Sequence, residues 1–375
     1  MRADRAPVRR RGLPRRSRIE PIPLPRNRRE VALTVVLALA YFITARLSLA
    51  LAIPPGYATA VWPAAGIALA SVLLAGSRVW PGIWLGAAAS NLMVQGSPLL
   101  AAIIATGNSL EAVIAAALIV RYADGGRLDH GEPVVRFVGL CGLSAGVAAG
   151  IGVTSLAFVG TMPMEAFLAN LWTWWQGDAS AMVIVAPLIL SWHSAGWPRF
   201  SPARALEAIA LAFALGATAF LVFGGLHPGS TSISLAFLTL PFIIWAAIRY
   251  GPRGVTTATA LLCTIAIGHA LRGGGLFGPD STNVSLLYLL TYACTLSITG
   301  LVLNSVIRER DRANAELQEG KAQLAQRVDE RSQEIALANR ALRRELVERG
   351  KHEETLRQNE ERFRLMIDGG MSVAL

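Results

Sequence analysis

The sequence predicts an all-α protein, a polytopic membrane helix bundle followed by a cytoplasmic coiled coil. Three observations predict this class. The mean hydropathy of +0.45, with 53% hydrophobic residues, is too apolar for a soluble chain of 375 residues. Residues 31–307 contain few charged side chains, with ten Arg, no Lys and eight acidic residues. From residue 308 the chain becomes highly charged, with leucines at heptad spacing that are typical of a coiled coil.

Residues 1–30 are an Arg-rich segment that we expect to be a disordered cytoplasmic tail. It holds eleven Arg in its first 29 positions. The formal net charge of +10 therefore comes from this tail and from short loops, where positive charge sets membrane orientation. We accordingly expect the lipid bilayer, and no nucleic acid, as the partner of these basic residues.

Ten apolar segments follow the tail, and most approach the roughly 20 residues that a membrane-crossing helix needs. We predict about ten transmembrane helices, although eight are also possible because the short paired segments within 58–95 or 232–271 could be re-entrant. The segments are 31–52, 58–76, 79–95, 98–121, 134–159, 168–192, 204–224, 232–249, 253–271 and 284–307.

Arginine in the connecting loops predicts the orientation of these segments. With the tail inside, each loop predicted to be inside carries or adjoins an Arg: Arg78, Arg127, Arg199, Arg249 with Arg253, and Arg308 with Arg310. Among the outer loops only the last has one, Arg272. This asymmetry predicts cytoplasmic N- and C-termini.

Three charged residues fall at membrane depth, where charge is costly and often marks a site. They are Arg46, Glu111 and Asp178, in the first, fourth and sixth segments. One interpretation is a polar binding site in which Arg46 faces the two carboxylates. The other is a buried ion-pair network that fixes helix register and binds nothing.

Further candidates have weaker signals. Asn108 lies one helical turn from Glu111, and Trp174 and Trp175 either line a pocket for a small apolar or cyclic ligand or form an interfacial belt. His269 is a candidate for a ligand or pH role. The spacing of the three cysteines and the histidines predicts no metal site, and nothing in the sequence requires a cofactor. A GxxxG sequence at residues 146–150 allows close helix approach.

Three blocks within residues 31–307 carry a family resemblance. They are Val61–Leu69 with Trp80–Ala87, Trp174–Ala179 with Ala186–Leu188, and Trp245–Gly254. In this order they resemble the MASE1 membrane-associated sensor domain of bacterial signalling proteins. A second proline usually follows the first in that family, and here the position after Pro63 is Ala64.

The resemblance implies an integral sensor in the bacterial cytoplasmic (inner) membrane. Members of the family end in histidine kinase, diguanylate cyclase or related cyclic-di-GMP outputs, so it also implies a role in two-component or cyclic-di-GMP signalling. Their ligand is generally undefined. The polar site above is therefore inferred from the residues of this chain alone.

Residues 308–358 form a linker with a seven-residue repeat. Val328, Ile335, Leu342, Leu356 and Phe363 share one heptad position, while Leu317 and Leu324 precede them with a phase shift of four. This pattern predicts a parallel two-stranded coiled coil, and therefore a homodimer through residues 317–363. The alternative is a single solvated charged helix. Residues 359–375 resemble the start of a PAS domain, and we expect that domain to be truncated here.

These features favour the sensory input module of a signal-transduction protein, whose bundle relays a signal through the coiled coil to an output domain missing from this chain. The stimulus, a small molecule or a membrane protein, is not specified by the sequence. A transporter- or permease-like small-molecule binder is the alternative. A membrane enzyme is disfavoured, because no P-loop, GGDEF-like motif or nucleophile elbow occurs, and His352 lacks a kinase phosphoacceptor motif. We therefore predict no catalytic domain and no catalytic residue in this chain.

Overall fold

The computed structural model describes residues 24–25, 27–49, 58–126, 128, 131–193, 200–224, 235–272 and 282–371. Within these residues the regular structure is helical and no strand occurs, as the predicted all-α class requires. The chain divides into two units, Met1–Glu309 and Arg310–Leu375. Most of the Arg-rich tail, and Arg127 and Arg199 of the predicted inner loops, lie outside the described residues.

Nine α-helices occur in the described ranges, and each predicted apolar segment overlaps one of them. They are α1 (Arg28–Leu49), α2 (Pro63–Ala75), α3 (Trp80–Gln95), α4 (Pro98–Tyr122), α5 (Gly131–Phe158), α6 (Phe167–His193), α7 (Pro202–Phe223), α8 (Leu240–Ala270) and α9 (Thr282–Met371). Five of them, α1, α4, α5, α7 and α9, contain a stretch long and apolar enough to cross a membrane. The total of eight or ten spans remains a prediction.

Proline and serine set the starts of several helices. Proline lies in the first two positions of α2, α3, α4, α7 and α8, where its missing N–H breaks no helical bond. Ser97 and Ser201 cap α4 and α7, because their hydroxyl oxygens accept from the backbone N–H of Leu100 and Arg204 at 3.4 Å. These signals explain why the segment boundaries could be read closely from the sequence.

Helices α1–α6 pack around the first apolar core of unit 1, and glycine allows close approach there. A Cβ at Gly66 of α2 would stand 2.3 Å from the carbonyl oxygen of Ala181 in α6, and one at Gly82 would stand 2.4 Å from that of Thr34 in α1. The close helix approach that the GxxxG at residues 146–150 allows is not used within the described part of this single chain. Cβ positions at Gly146 and Gly150 have no atom within 4 Å, because this side of α5 faces no neighbouring helix among the described residues.

Helices α7 and α8 and the first turns of α9 form the second core of unit 1. Helix α8 is interrupted at Gly251, whose φ of 65° lies in the left-handed region that favours glycine. The carbonyl oxygen of Ala246 lies 2.6 Å from a Cβ position at Gly254, so the two halves of α8 pack against each other. This break separates the two segments that were predicted as distinct, 232–249 and 253–271.

Unit 2 is the helical continuation of α9 from Arg310 to Met371. Its apolar heptad residues are exposed in the single chain, with Val328 at 57% and Ile335 at 60%. Exposed ion pairs such as Arg331–Glu334, at 2.9 Å, lie along its surface. The helix is therefore present, while its pairing into a coiled coil remains a prediction.

Candidate functional site

Two carboxylates and a tyrosine from three helices meet in the interior of unit 1, and we call Tyr41, Glu111 and Asp178 the polar cluster. Asp178 of α6 is completely buried, Tyr41 of α1 is 1% exposed and Glu111 of α4 is 2% exposed. Glu111 lies close to Asp178, and both lie close to the Tyr41 hydroxyl. The structure thus brings together two of the three charged residues singled out in the sequence.

Glycines near the two carboxylates allow the helices that carry them to pack closely against their neighbours. Gly177 precedes Asp178, and a Cβ there would stand 2.7 Å from the carbonyl oxygen of Thr59, so α6 passes directly against the segment that leads into α2. Gly107 allows α4 to approach α5, with its Cβ position 3.2 Å from Ile151. Both glycines therefore bring their helices close to neighbours near the point where each carries its carboxylate.

The polar cluster and its surroundings contain unused hydrogen-bonding groups. Oε1 of Glu111, both side-chain polar atoms of Asn108 and the hydroxyl of Ser144 are buried without a hydrogen-bond partner among the described residues, and the buried Asp178 carboxylate has the Trp174 indole as a nearby donor. Leaving one buried polar group unpaired costs about 1–3 kcal/mol, and more when it is charged. A ligand that supplied donors would recover part of this cost.

Tyr41 is a member of the cluster that sequence reasoning missed. Trp62, from the first block of family resemblance, donates its Nε1–H to the Tyr41 hydroxyl oxygen at 3.4 Å, and the two rings meet edge-on with centroids 6.5 Å apart. The buried positions Leu37, Tyr41, Ala45 and Ser48 follow the spacing of one helix face. That periodicity could have identified Tyr41 as inward-facing.

The expected approach of Arg46 to the carboxylates is absent, which corrects the prediction. Arg46 is exposed on the surface of the bundle. It lies five residues after Tyr41 on α1, and at 3.6 residues per turn this places it about 140° around the helix from the buried face. The prediction rested on the depth of Arg46 along the apolar segment, which does not determine the side of α1 on which Arg46 lies.

Of the candidates with weaker signals, Trp174 and Asn108 lie beside the cluster, whereas Trp175 and His269 make contacts elsewhere. Trp174 lies one turn before Asp178, close to its carboxylate, with its ring packed on Gly152 of α5. Trp175 instead donates to the carbonyl oxygen of Gly142 at 2.7 Å, which joins α6 to α5. His269 lies in the last turn of α8, with its Nδ1 2.9 Å from the carbonyl oxygen of Ile265. Asn108 is buried on α4, one turn from Glu111.

Hydrogen bonds from α6 reach α9. Gln176, two residues before Asp178, donates from Nε2 to the carbonyl oxygen of Leu287 and to the hydroxyl of Thr291, both at 2.6 Å. Further along the same two helices, the Ser297 hydroxyl donates to the carbonyl oxygen of Val183 at 3.4 Å. Gln176 is not predictable from the sequence as a functional residue, because a lone glutamine in an apolar segment has no characteristic spacing.

The third block forms a polar corner where α8 breaks. Arg249 donates to both carboxylate oxygens of Glu207 in α7, at 2.7 and 2.6 Å, and Trp245 donates to the same carboxylate at 3.0 Å. Arg253 donates from Nε to the carbonyl oxygen of Ser191 at the end of α6, at 3.0 Å. These bonds tie three helices together at one end of the bundle.

Comparison of the sequence with known protein families identifies the family of this chain. Residues 31–311 match the model of MASE1, a family of membrane-associated sensor domains. The chain belongs to the MASE1 family. The match covers most of the chain, including the polar cluster and the corner of α8, and confirms the resemblance predicted for residues 31–307. No curated protein and no solved structure matches the chain significantly.

The MASE1 domain offers no group of side chains suited to a metal ion within its described residues. No three His, Cys, Asp or Glu side chains lie close together there. The cluster is instead a buried group of side-chain oxygens with one amide, Asn108, nearby. Its chemistry suits a ligand with hydrogen-bond donors or a positive charge.

Proposed function

We propose that this chain is the membrane-embedded sensory input module of a bacterial signal-transduction protein, located in the inner membrane with both termini in the cytoplasm. The observation that carries the proposal is the buried carboxylate of Asp178 on α6, which has no ion-pair partner among the described residues and lies two residues from the Gln176 bonds to α9. Membership of a sensor-domain family and the inner-loop arginines support it.

The input site in this proposal is the polar cluster with Asn108. Carboxylate oxygens accept hydrogen bonds, and the Asn108 amide both donates and accepts. A small ligand with N–H donors or a positive charge would pair with both Asp178 and Glu111. It would thereby offset the cost of burying two carboxylates close together. Trp174, beside Asp178, supplies an aromatic wall.

The relay in this proposal runs from α6 to α9. A ligand bound at Asp178 shifts or rotates α6, and the Gln176 bonds to Leu287 and Thr291 transmit that movement because two short hydrogen bonds fix the relative register of the helices. The backbone of α9 stays helical from Thr282 to Met371, with no break at the start of the linker. A change in α9 is therefore passed on as a change in helix phase or tilt.

The output in this proposal is set by a parallel coiled coil between two copies of residues 317–363. The exposed heptad residues, such as Leu324, Val328 and Ile335, would be buried by a second copy. The segment from residue 359 would continue into a PAS domain and then into a histidine kinase or diguanylate cyclase. The linker helix would set the geometry of that enzyme.

A transporter-like binder is the second candidate, and the buried carboxylates favour it because carriers bind solutes near the membrane midplane. If the chain is a transporter, proteoliposomes that contain it should accumulate a labelled solute, and Asp178→Asn should abolish this uptake. The long charged helix after residue 310 argues for signalling, because a carrier has no use for it.

Hydrogen–deuterium exchange on the full chain in lipid nanodiscs tests the sensory proposal. We expect Glu111→Gln to change exchange at residues 285–309 of α9 and in the linker, whereas Glu165→Gln leaves both unchanged. Glu165 is an exposed glutamate between α5 and α6, so it controls for the same chemical change. Equal exchange in α9 and the linker for wild type and Glu111→Gln would contradict the proposal.

A further inference from the structure

A partly open cavity of about 800 Å³ lies at the corner of α8, away from the polar cluster. Its walls come from the C-terminal end of α6, the N-terminal half of α7, both sides of the α8 break, and Arg308 of α9. The volume falls within the roughly 300–1,000 Å³ of ordinary ligand sites. Nothing in the proposed sensory role requires this cavity, so it is a separate site.

The cavity has an apolar part and a positively charged part. Leu190, Leu211, Leu215 and Leu261 belong to the apolar part, and Arg253 and Arg308 supply the charge. Among the described lining residues two are positively charged and none is acidic. An occupant that complements both parts has a negative head and a hydrocarbon tail.

The position of each arginine is built into the fold. The guanidinium of Arg253 lies over the Trp192 ring, 5.4 Å from its centroid, and its Nε–H donates to the Ser191 carbonyl. The guanidinium of Arg308 packs on Gly251, with a nitrogen 3.0 Å from where a Cβ would stand. Glycine at the α8 break therefore leaves the space that Arg308 occupies.

The backbone at the break in α8 also lines the cavity. The second half of α8 starts at Pro252, and Pro252, Arg253 and Gly254 all line the cavity. The first turn of a helix presents unpaired N–H groups and the positive end of the helix dipole. Phosphate groups bind favourably at such a position when arginine is also present.

We infer that this cavity binds an anionic phospholipid of the surrounding bilayer, with the phosphate of the headgroup at Arg308 and Arg253 and an acyl chain along the leucines of α6, α7 and α8. Basic pockets between transmembrane helices are known to hold anionic lipid headgroups. The apolar wall selects a lipid over a soluble phosphate compound. The aromatic rings of Trp192 and Tyr250 suit the level of the headgroups.

Native mass spectrometry of the purified full chain tests this inference with two lipids that share the same acyl chains, dioleoyl phosphatidylglycerol and dioleoyl phosphatidylcholine. We expect the wild type to retain the anionic lipid preferentially. Arg308→Gln should weaken its apparent affinity about tenfold, the ratio expected for losing one charge-assisted hydrogen bond. Arg46→Gln, an exposed arginine on α1, should leave retention unchanged.

A second variant tests the apolar part without touching either arginine. Ala212 of α7 lines the cavity, so Ala212→Trp should fill it and abolish selective retention. Ala217→Trp is the matched control, because this exposed alanine of the same helix lies outside the lining. Equal retention of the two lipids by the wild type, or wild-type retention by Arg308→Gln and Ala212→Trp, would overturn the inference. Binding of inorganic phosphate with no lipid preference would assign the site to a soluble anion and would also overturn it.

Discussion

Gln176 of α6 donates a hydrogen bond of 2.6 Å to the backbone carbonyl oxygen of Leu287 in α9. The same side-chain nitrogen donates to the Thr291 hydroxyl one turn further along, also at 2.6 Å. Asp178 lies two residues away on α6, completely buried, with the Trp174 side chain close to its carboxylate. One helix therefore holds both a buried carboxylate of the polar cluster and a polar attachment to the helix that leads into the linker.

Gln176→Leu should weaken the contact between α6 and α9. It removes two hydrogen bonds, each worth about 0.5–1.5 kcal/mol, so we expect a loss of about 1–3 kcal/mol in unfolding free energy. Thermal unfolding of the purified chain in one detergent measures the change. The control is Thr295→Val, since the Thr295 hydroxyl donates only to its own helix, to the Thr291 carbonyl at 2.9 Å. Equal melting of Gln176→Leu and the wild type would show that the contact contributes nothing to packing.

Asp178→Asn should stabilise the ligand-free protein. Burying one carboxylate close to another is unfavourable in a low-dielectric interior. We expect a higher melting temperature, corresponding to about 1–3 kcal/mol, because a neutral amide costs less to bury than a carboxylate and its N–H groups can donate to Glu111. The exposed Glu165→Gln should not change melting. A lower melting temperature for Asp178→Asn would instead indicate a structural role for the carboxylate.

Gly66→Ala should destabilise the bundle, whereas Gly146→Ala should not. A Cβ at Gly66 would stand 2.3 Å from the Ala181 carbonyl oxygen, so α2 and α6 must move apart. The loss should be at least about 1–3 kcal/mol, the usual range for overpacking. Gly146 has open space, and alanine there should add up to about 1 kcal/mol through helix propensity. Melting of the two variants side by side checks the prediction, and an equal effect of both would contradict it.

Cysteines placed along the linker should cross-link with a seven-residue period. The three native cysteines lie before residue 308, so an introduced cysteine is the sole thiol of the linker. Val328→Cys and Ile335→Cys occupy the same heptad position and should form disulfides between two chains in membranes. Gln333→Cys, on the outer side of the helix, should not. Uniform cross-linking at all three positions would rule out a specific coiled coil.

The sequence predicted the helices well because their signals are local. Proline at helix starts, capping serines and apolar segments of near membrane length define the elements without any knowledge of packing. The break in α8 was also predictable, because Gly251 and Pro252 adjoin at a point where Arg249 and Arg253 indicate a loop.

The composition of the site was predicted only in part, because it depends on how helices rotate about their axes. Glu111 and Asp178 were found from charge at membrane depth, but depth alone also selected Arg46, which lies on the outer face of α1. Tyr41 and Gln176 carry no charge and gave no such signal. The glycines that allow close packing, Gly66 and Gly177, could not be told from the open Gly146, since all three lie in similar apolar surroundings.

The rate of disulfide cross-linking at Ile335→Cys in membranes, measured in the wild-type background and with Asp178→Asn, tests most directly whether the polar cluster controls the linker. We expect Asp178→Asn to alter this rate by about fivefold or more, which corresponds to the lower end of typical coupling energies. Glu165→Gln should leave the rate unchanged. Equal rates in all three backgrounds would contradict the claim that the polar cluster controls the linker.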